Sequence, residues 1–239
     1  MRILSVSDLH YRLPHFDWLL DASRDVDVVV IAGDLADVVN PVPVEVQSVV
    51  LATYLDRLAE QSLVVVSSGN HDLDGPGGHG EQVAGWLQRA ARDRVVVDGA
   101  TADLDGIRFT ACPWWDGPLT RAEVDEQLSE AGADPPATWV WAYHSPPAGT
   151  PLCRDRRREF PDHDLAGWIE RHQPALVFTG HIHQAPWVDG GSWRARVGRT
   201  WVFNAGKQIG PVPAHVLVDT DQATAHWFGV VDSETVSLG

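Results

Sequence analysis

Five short polar clusters carry the residue types that bind metal ions: Asp8-x-His10, Gly33-Asp34, Gly69-Asn70-His71-Asp72, His144 and Gly180-His181-Ile182-His183. Carboxylate, amide oxygen and imidazole together suit hard or borderline divalent ions such as Mn²⁺, Fe²⁺, Zn²⁺ or Co²⁺. Neither cysteine, Cys112 or Cys153, stands in a cluster, so a thiolate site is not expected. Seven candidates, Asp8, His10, Asp34, Asn70, His144, His181 and His183, exceed what one zinc ion can use. Two metals sharing a bridging carboxylate account for them better. Any one cluster arises readily by chance; five in order, each closing an apolar run, do not.

Those apolar runs must position the clusters. Arg2–His10, Val26–Asp37, Leu63–Asp72, Thr138–His144 and Ala175–His183 each begin with a strand-like stretch and end in ligand-type residues. A short continuous apolar run reads as a strand buried on both faces. Open α/β sheets place ligands just past the carboxyl ends of such strands, so the clusters are expected along one edge. Helical spacing predicts helices over Pro14–Ser23, Val44–Glu60, Glu81–Arg92, Thr120–Ala131 and Asp162–His172, the fourth capped by Thr120 with Glu123. Val95–Val97, Ala100–Leu104 and Ile107–Ala111 read as strands, the last two joined at Asp105-Gly106. Arg199–Phe203, Ala214–Asp219 and Ala223–Val230 read as antiparallel strands, and the glycine-rich Asp72–Gly80 as a mobile loop beside the site. With no repeat and no dividing linker, the expectation is one α/β domain over residues 1–239, two sheets face to face with helices outside.

The formal charge is −15, which argues against a nucleic-acid surface, because phosphate backbones need clustered cations. A nucleotide substrate stays open, since a metal supplies positive charge locally. No stretch approaches a membrane span, no signal-like segment opens the chain, and two cysteines are too few for a disulfide framework. The expected compartment is the cytoplasm, with reduced thiols. Two divalent ions, two aspartates and a bridging hydroxide sum to about +1, an anion trap. Paired metals roughly 3.5–4 Å apart suit in-line displacement at phosphorus.

The ordered set closely resembles the motifs of the calcineurin-like metallophosphoesterases, and its spacing resembles their cyclic-nucleotide-type bacterial phosphodiesterase branch. The motifs span residues 8 to 183. The resemblance implies a four-layer α/β/β/α sandwich with a dinuclear metal site at the C-terminal ends of the strands. It implies that Asp8, His10 and His183 hold one metal, Asn70, His144 and His181 the other, and that Asp34 bridges. His71 would stabilise the phosphate or protonate the leaving oxygen, oriented by Asp37. The implied reaction is phosphodiester hydrolysis by a hydroxide bridging two divalent ions, on a small phosphoester that could be a nucleotide. Phosphomonoester or nucleotide hydrolysis on the same site is the close alternative. A non-catalytic scaffold on this fold is disfavoured because every expected position is filled, and a nuclease by the acidic balance.

The resemblance departs in two places. Asn204-Ala205-Gly206-Lys207, holding the only lysine, stands where many relatives have Asn-x-Gly-Ser, and Ser145–Pro161 follows no family pattern. Both stretches are expected at the substrate pocket. Trp114 and Trp115 could form an apolar lip there, although covering a core edge is the more economical reading. Arg154 and Arg156–Arg158 could grip a phosphate, although a run interleaved with Asp155 and Glu159 reads more simply as solvated surface. His79, His163 and His215 belong to no motif, and the cysteines read as small buried residues.

Overall fold

The structure is a computed structural model describing residues 1–156 and 158–239; Arg157, within the arginine run, lies outside the described residues. The strands that form the two large sheets are β1 (Arg2–Val6), β2 (Val28–Ala32), β3 (Leu63–Ser67), β4 (Val95–Val96), β5 (Thr101–Leu104), β6 (Ile107–Ala111) and β7 (Thr138–Ala142). They continue with β8 (Leu176–Thr179), β9 (Arg194–Val197), β10 (Thr200–Asn204), β11 (His215–Asp219), β12 (Thr224–Phe228) and β13 (Ser233–Ser237). The helices are α1 (Leu13–Ala22), α2 (Val44–Ala59), α3 (Gly85–Arg89), α4 (Pro118–Ala131) and α5 (His163–His172).

One sheet runs β13-β12-β11-β1-β2-β3-β4 and the other β9-β10-β8-β7-β6-β5. Each has a parallel centre, β1-β2-β3-β4 and β6-β7-β8-β10, bordered by antiparallel strands. The period of two explains why β2 needs no polar residue. Val28 and Val30 point into the core between the sheets with Phe109, Val140 and Phe178. Val29 and Ile31 point the other way, against Phe16, Leu19, Leu51 and Leu55 of α1 and α2. The second sheet buries Trp141 and Val177 outward against Val124, Leu128, Leu165 and Trp168 of α4 and α5. Three apolar cores between four layers make the α/β/β/α sandwich. Truncating Phe178, fully buried in the central core, to alanine would cost about 3–5 kcal/mol.

Several boundaries differ from the sequence expectations, each for a local reason. The third helix is short because Gln82-Val83 pairs with Gly75-Pro76, and that pairing also takes up part of the glycine-rich loop. Asp72, at the head of that loop, is wholly buried. The fourth helix starts at Pro118 with Gly117 as N-cap. Its orphan N–H groups at Leu119 and Thr120 donate to Glu81 from a distant loop (3.0 and 2.7 Å), so the acid at this terminus is Glu81 and not Glu123. Asp162 caps α5 by accepting from Leu165 N at 2.8 Å. Residues 199–203 fall largely in β10, which is parallel to β8 and antiparallel only to β9. Among the described residues no helix is long and apolar enough to cross a membrane.

Candidate metal centre

The parallel strands β1, β2 and β3 of one sheet and β7 and β8 of the other end at a common rim, and all five polar clusters meet there. Main-chain bonds tie the turns together: Asp8 N to Gly33 O (3.1 Å), His10 N to Asp34 O (2.9 Å) and Gly180 N to His144 O (2.8 Å). Asp8, His10, Asp34 and His181 all carry positive φ, between 44° and 65°. Left-handed backbone at non-glycine residues costs about 1–3 kcal/mol each and gathers where function demands a particular side-chain direction. Two glycines make the crowding possible. A Cβ on Gly69 would collide with the Asp34 carboxylate, and one on Gly180 would lie 2.7 Å from Asp8 Oδ2.

Asp8, His10, Asp34 and His183 each bring one ligand-type atom within 4.8 Å of all the others. His10 Nε2 is 3.1 Å from His183 Nε2 and 3.6 Å from Asp34 Oδ2, and His183 Nε2 is 3.2 Å from Asp8 Oδ1. Asp8 is fixed from behind, accepting from Ser7 Oγ (2.6 Å) and His181 N (3.0 Å). Burial opposes ionising Asp8, but the His183 and His144 imidazoles and the Ser7 hydroxyl hold its carboxyl well below the usual range. Burial pushes His10 down to about 4 against the pull of Asp34 and Asp8, and burial and His144 do the same to His181. Neutral imidazoles beside ionised carboxylates are what a divalent cation requires.

The remaining candidates are looser. His144 donates through Nδ1 to Ala32 O at 2.7 Å, which leaves Nε2 to take a proton or a metal. That Nε2 is buried without a hydrogen-bond partner, 3.2 Å from Asp34 Oδ2, and Asn70 Oδ1 is likewise buried and unpartnered. An amide oxygen and an imidazole nitrogen, both without a hydrogen-bond partner among the described residues, are ligand types that suit a second cation. Burial would lower His144, but Asp34 and Asp8 raise it to about 9, the direction in which these carboxylates favour positive charge at that nitrogen. The His181 ring lies 5.2 Å from that of His144 and is outside the tight Asp8–His183 group.

His71 and Asp37 stand next to the tight group. His71 Nδ1 is 3.3 Å from Asp37 Oδ1 and 3.4 Å from Val38 N, and the same carboxylate is 4.0 Å from His10 Nδ1. His71 N donates to Asp34 Oδ1 at 2.9 Å, so the main chain of one residue steadies the carboxylate while its side chain faces the site. Sequence reasoning missed the brace beneath. Asp72 accepts from Gly69 N and Ala36 N, both at 2.8 Å, and from Leu35 N at 3.3 Å, locking two clusters to each other. Its apolar neighbours and zero exposure, invisible in sequence, are what distinguish it from a surface aspartate.

The two departures from the family pattern both reach the rim. Asn204 Nδ2 donates to Gly180 O and Ile182 O (3.0 and 3.2 Å), and Lys207 N to His183 O at 3.0 Å. The half-buried Lys207 ammonium feels Asp8, Asp37 and Asp34, though burial lowers its pKa. Residues 145–161 supply Asp155, Arg156 and Phe160 to a cavity of about 380 Å³ floored by His181 and His183. Arg154 pairs with Glu159 and Arg158 is exposed, so of the described arginines in the run only Arg156 lines it. The tryptophans divide. Trp115 packs on the α4–α5 core, but Trp114 leans on His144 and His181, with centroids 5.6 and 5.3 Å away, instead of covering a core edge. His79 and His163 are exposed, His215 stacks on Phe228, and both cysteines are free and buried.

Residues 1–185 match the family model described as calcineurin-like phosphoesterase, and the chain belongs to that family of metal-dependent phosphoester hydrolases. Against the curated proteins the chain has no match. Among solved structures it is similar to TT1561 of Thermus thermophilus, with 15% identity, a TM-score of 0.63, and coverage of 100% of this chain and 99% of that one. Yfce, a phosphoesterase from E. coli, shares 14% identity at a TM-score of 0.47, each chain covered fully. Wild-type Vps29 from Entamoeba histolytica, complexed with Zn²⁺, shares 13% at 0.48, again over both full chains. At these identities the likeness speaks to the fold.

Proposed function

We propose that the protein hydrolyses phosphodiesters at a centre of two divalent ions. Asp8, His10 and His183 would hold one ion, Asn70, His144 and His181 the other, with Asp34 shared. The observation that carries this reading is the convergence of the tight Asp8–His10–Asp34–His183 group beside the orphaned Asn70 Oδ1 and His144 Nε2. Bound there, Mn²⁺, Fe²⁺, Zn²⁺ or Co²⁺ would supply positive charge for phosphoryl oxygens and a water acidic enough to attack phosphorus.

The chain's own groups do the rest. Ser7 and the main chain of His71 and His181 hold Asp8 and Asp34 in place. The Ala32 carbonyl fixes the His144 tautomer. His71, partly exposed beside the group, is placed to give a proton to the departing oxygen, with Asp37 Oδ1 3.3 Å from its Nδ1 to orient the ring. The cavity of about 380 Å³ over His181 and His183 is where a small phosphoester would sit.

A second reading, phosphomonoester or nucleotide hydrolysis, is favoured by Lys207, whose ammonium adds a positive charge suited to a dianion. Turnover of an aryl phosphodiester and its matching monoester under identical Mn²⁺ loading decides between them. Faster cleavage of the diester supports the first reading, and a clear monoester preference replaces it with the second.

A further inference from the structure

A second cavity, of about 300 Å³, opens beside the metal centre and is lined by Trp114, Trp115, Tyr143, Ser145, Asp162 and Asp164 among others. Trp114 is the shared wall, because its ring also leans on His144 and His181. The loop carrying it is anchored from below: Trp114 N donates to Ser68 Oγ at 3.0 Å, and Ser68 N to Asp98 Oδ1 at 2.8 Å. The other walls form one hydrogen-bonded chain. Trp115 Nε1 donates to the Tyr143 hydroxyl (2.9 Å), which donates to Asp162 Oδ2 (2.6 Å).

This chain determines what the cavity can recognise. The Trp115 and Tyr143 donors are spent within the wall, so neither can bind the acceptor atoms of a nucleobase or sugar. Asp164 is paired with the Arg121 guanidinium, whereas among the described residues Asp162 forms no salt bridge and accepts hydrogen bonds from Tyr143 and Leu165 N, with Arg121 acting on it at longer range. No lysine or arginine lines the space among the described residues. Indole rings beside a carboxylate that forms no salt bridge are surroundings an ammonium group prefers, a quaternary one above all.

We propose that this cavity takes the cationic arm of an amino-alcohol phosphodiester whose phosphoryl group lies at the metal centre. The proposal rests on the phosphodiesterase reading and names the substrate class within it. It also gives Trp114 a reason to stand between the cavity and the histidines.

The test uses the Mn²⁺-loaded protein and two diesters with the same nitrophenyl leaving group. One carries choline, and the other carries 3,3-dimethylbutanol, its uncharged isostere. The choline ester is expected to have a kcat/KM about tenfold higher, a size typical of a desolvated cation on aromatic faces. That ratio should fall to near one in Trp115→Leu, whatever happens to the absolute rates. Tetramethylammonium should inhibit wild-type turnover competitively, a result that does not depend on the variant folding. Turnover of both esters at equal kcat/KM, or preference for the uncharged one, overturns the proposal and leaves the phosphodiesterase reading standing. No turnover of either overturns that reading and the proposal with it.

Discussion

The Nε2 atoms of His10 and His183 lie 3.1 Å apart, although 173 positions separate the two residues. The approach is met either by one ring donating its tautomeric N–H to the other or by a cation set between two lone pairs. Burial holds His10 down to about 4, so that ring is neutral near neutral pH and can offer a lone pair to a metal. With Asp8 Oδ1 at 3.2 Å from one ring and Asp34 Oδ2 at 3.6 Å from the other, a divalent ion satisfies all four groups together.

Asp34 faces His10 on one side and His144 on the other, where the proposed two-metal centre would need its shared carboxylate. Asp34→Ala is therefore expected to lose both metals and nearly all activity, because water cannot replace a carboxylate shared by two cations. Elemental analysis of the purified variant checks this. About two metals per chain in the variant would remove Asp34 from the bridging position.

His71 and Asp37 are expected to act on the proton and not on the metals. His71→Gln should retain both ions while kcat falls by roughly 10²–10⁴, the usual consequence of losing a positioned acid. Asp37→Asn should show a smaller loss of the same kind. Both deficits should shrink with nitrophenolate leaving groups, which need little protonation. Metal content falling with activity in His71→Gln would make it a ligand, and equal deficits for good and poor leaving groups would leave it only the phosphate to hold.

Asp98 gives a pH dependence away from the metal centre. Burial raises its carboxyl to about 7 despite the hydrogen bonds from Ser68. An unfolded aspartate titrates at ~3.9, so between these values the folded chain holds a proton that the unfolded chain has released. Stability from this group is complete below about pH 4 and is lost as pH rises through about 7. Asp98→Asn, which can still accept from Ser68 N, should gain about 2–4 kcal/mol relative to wild type at pH 8 and far less at pH 4.5. Denaturant melts at the two pH values check this, and an equal gain at both would contradict it.

The layered fold was legible because β2 and β3 are apolar runs that end in glycine-bearing polar turns, and a run with no polar alternation has to be covered on both faces. The meeting of Asp8, His10, Asp34 and His183 was legible for the same reason, since parallel strands bring their carboxyl ends to one rim. Distant partners were not legible. Glu81 takes over the cap of α4 from 38 positions away, and β13, mostly polar and exposed, offers a single apolar residue, Val236, too little for an alternating pattern. Asp72 as a brace and Trp114 as a wall against His144 and His181 depend on packing between loops that no local pattern encodes.

A metal titration of activity tests a two-metal phosphoester hydrolase most directly. The chelated protein would be supplied with Mn²⁺ in increments, with bound metal and turnover of an aryl phosphodiester followed on the same samples. The account predicts no turnover without metal, and activity that rises to its plateau as the second equivalent binds. Full activity at one equivalent, or two bound ions with no turnover of either diester or monoester, would contradict it.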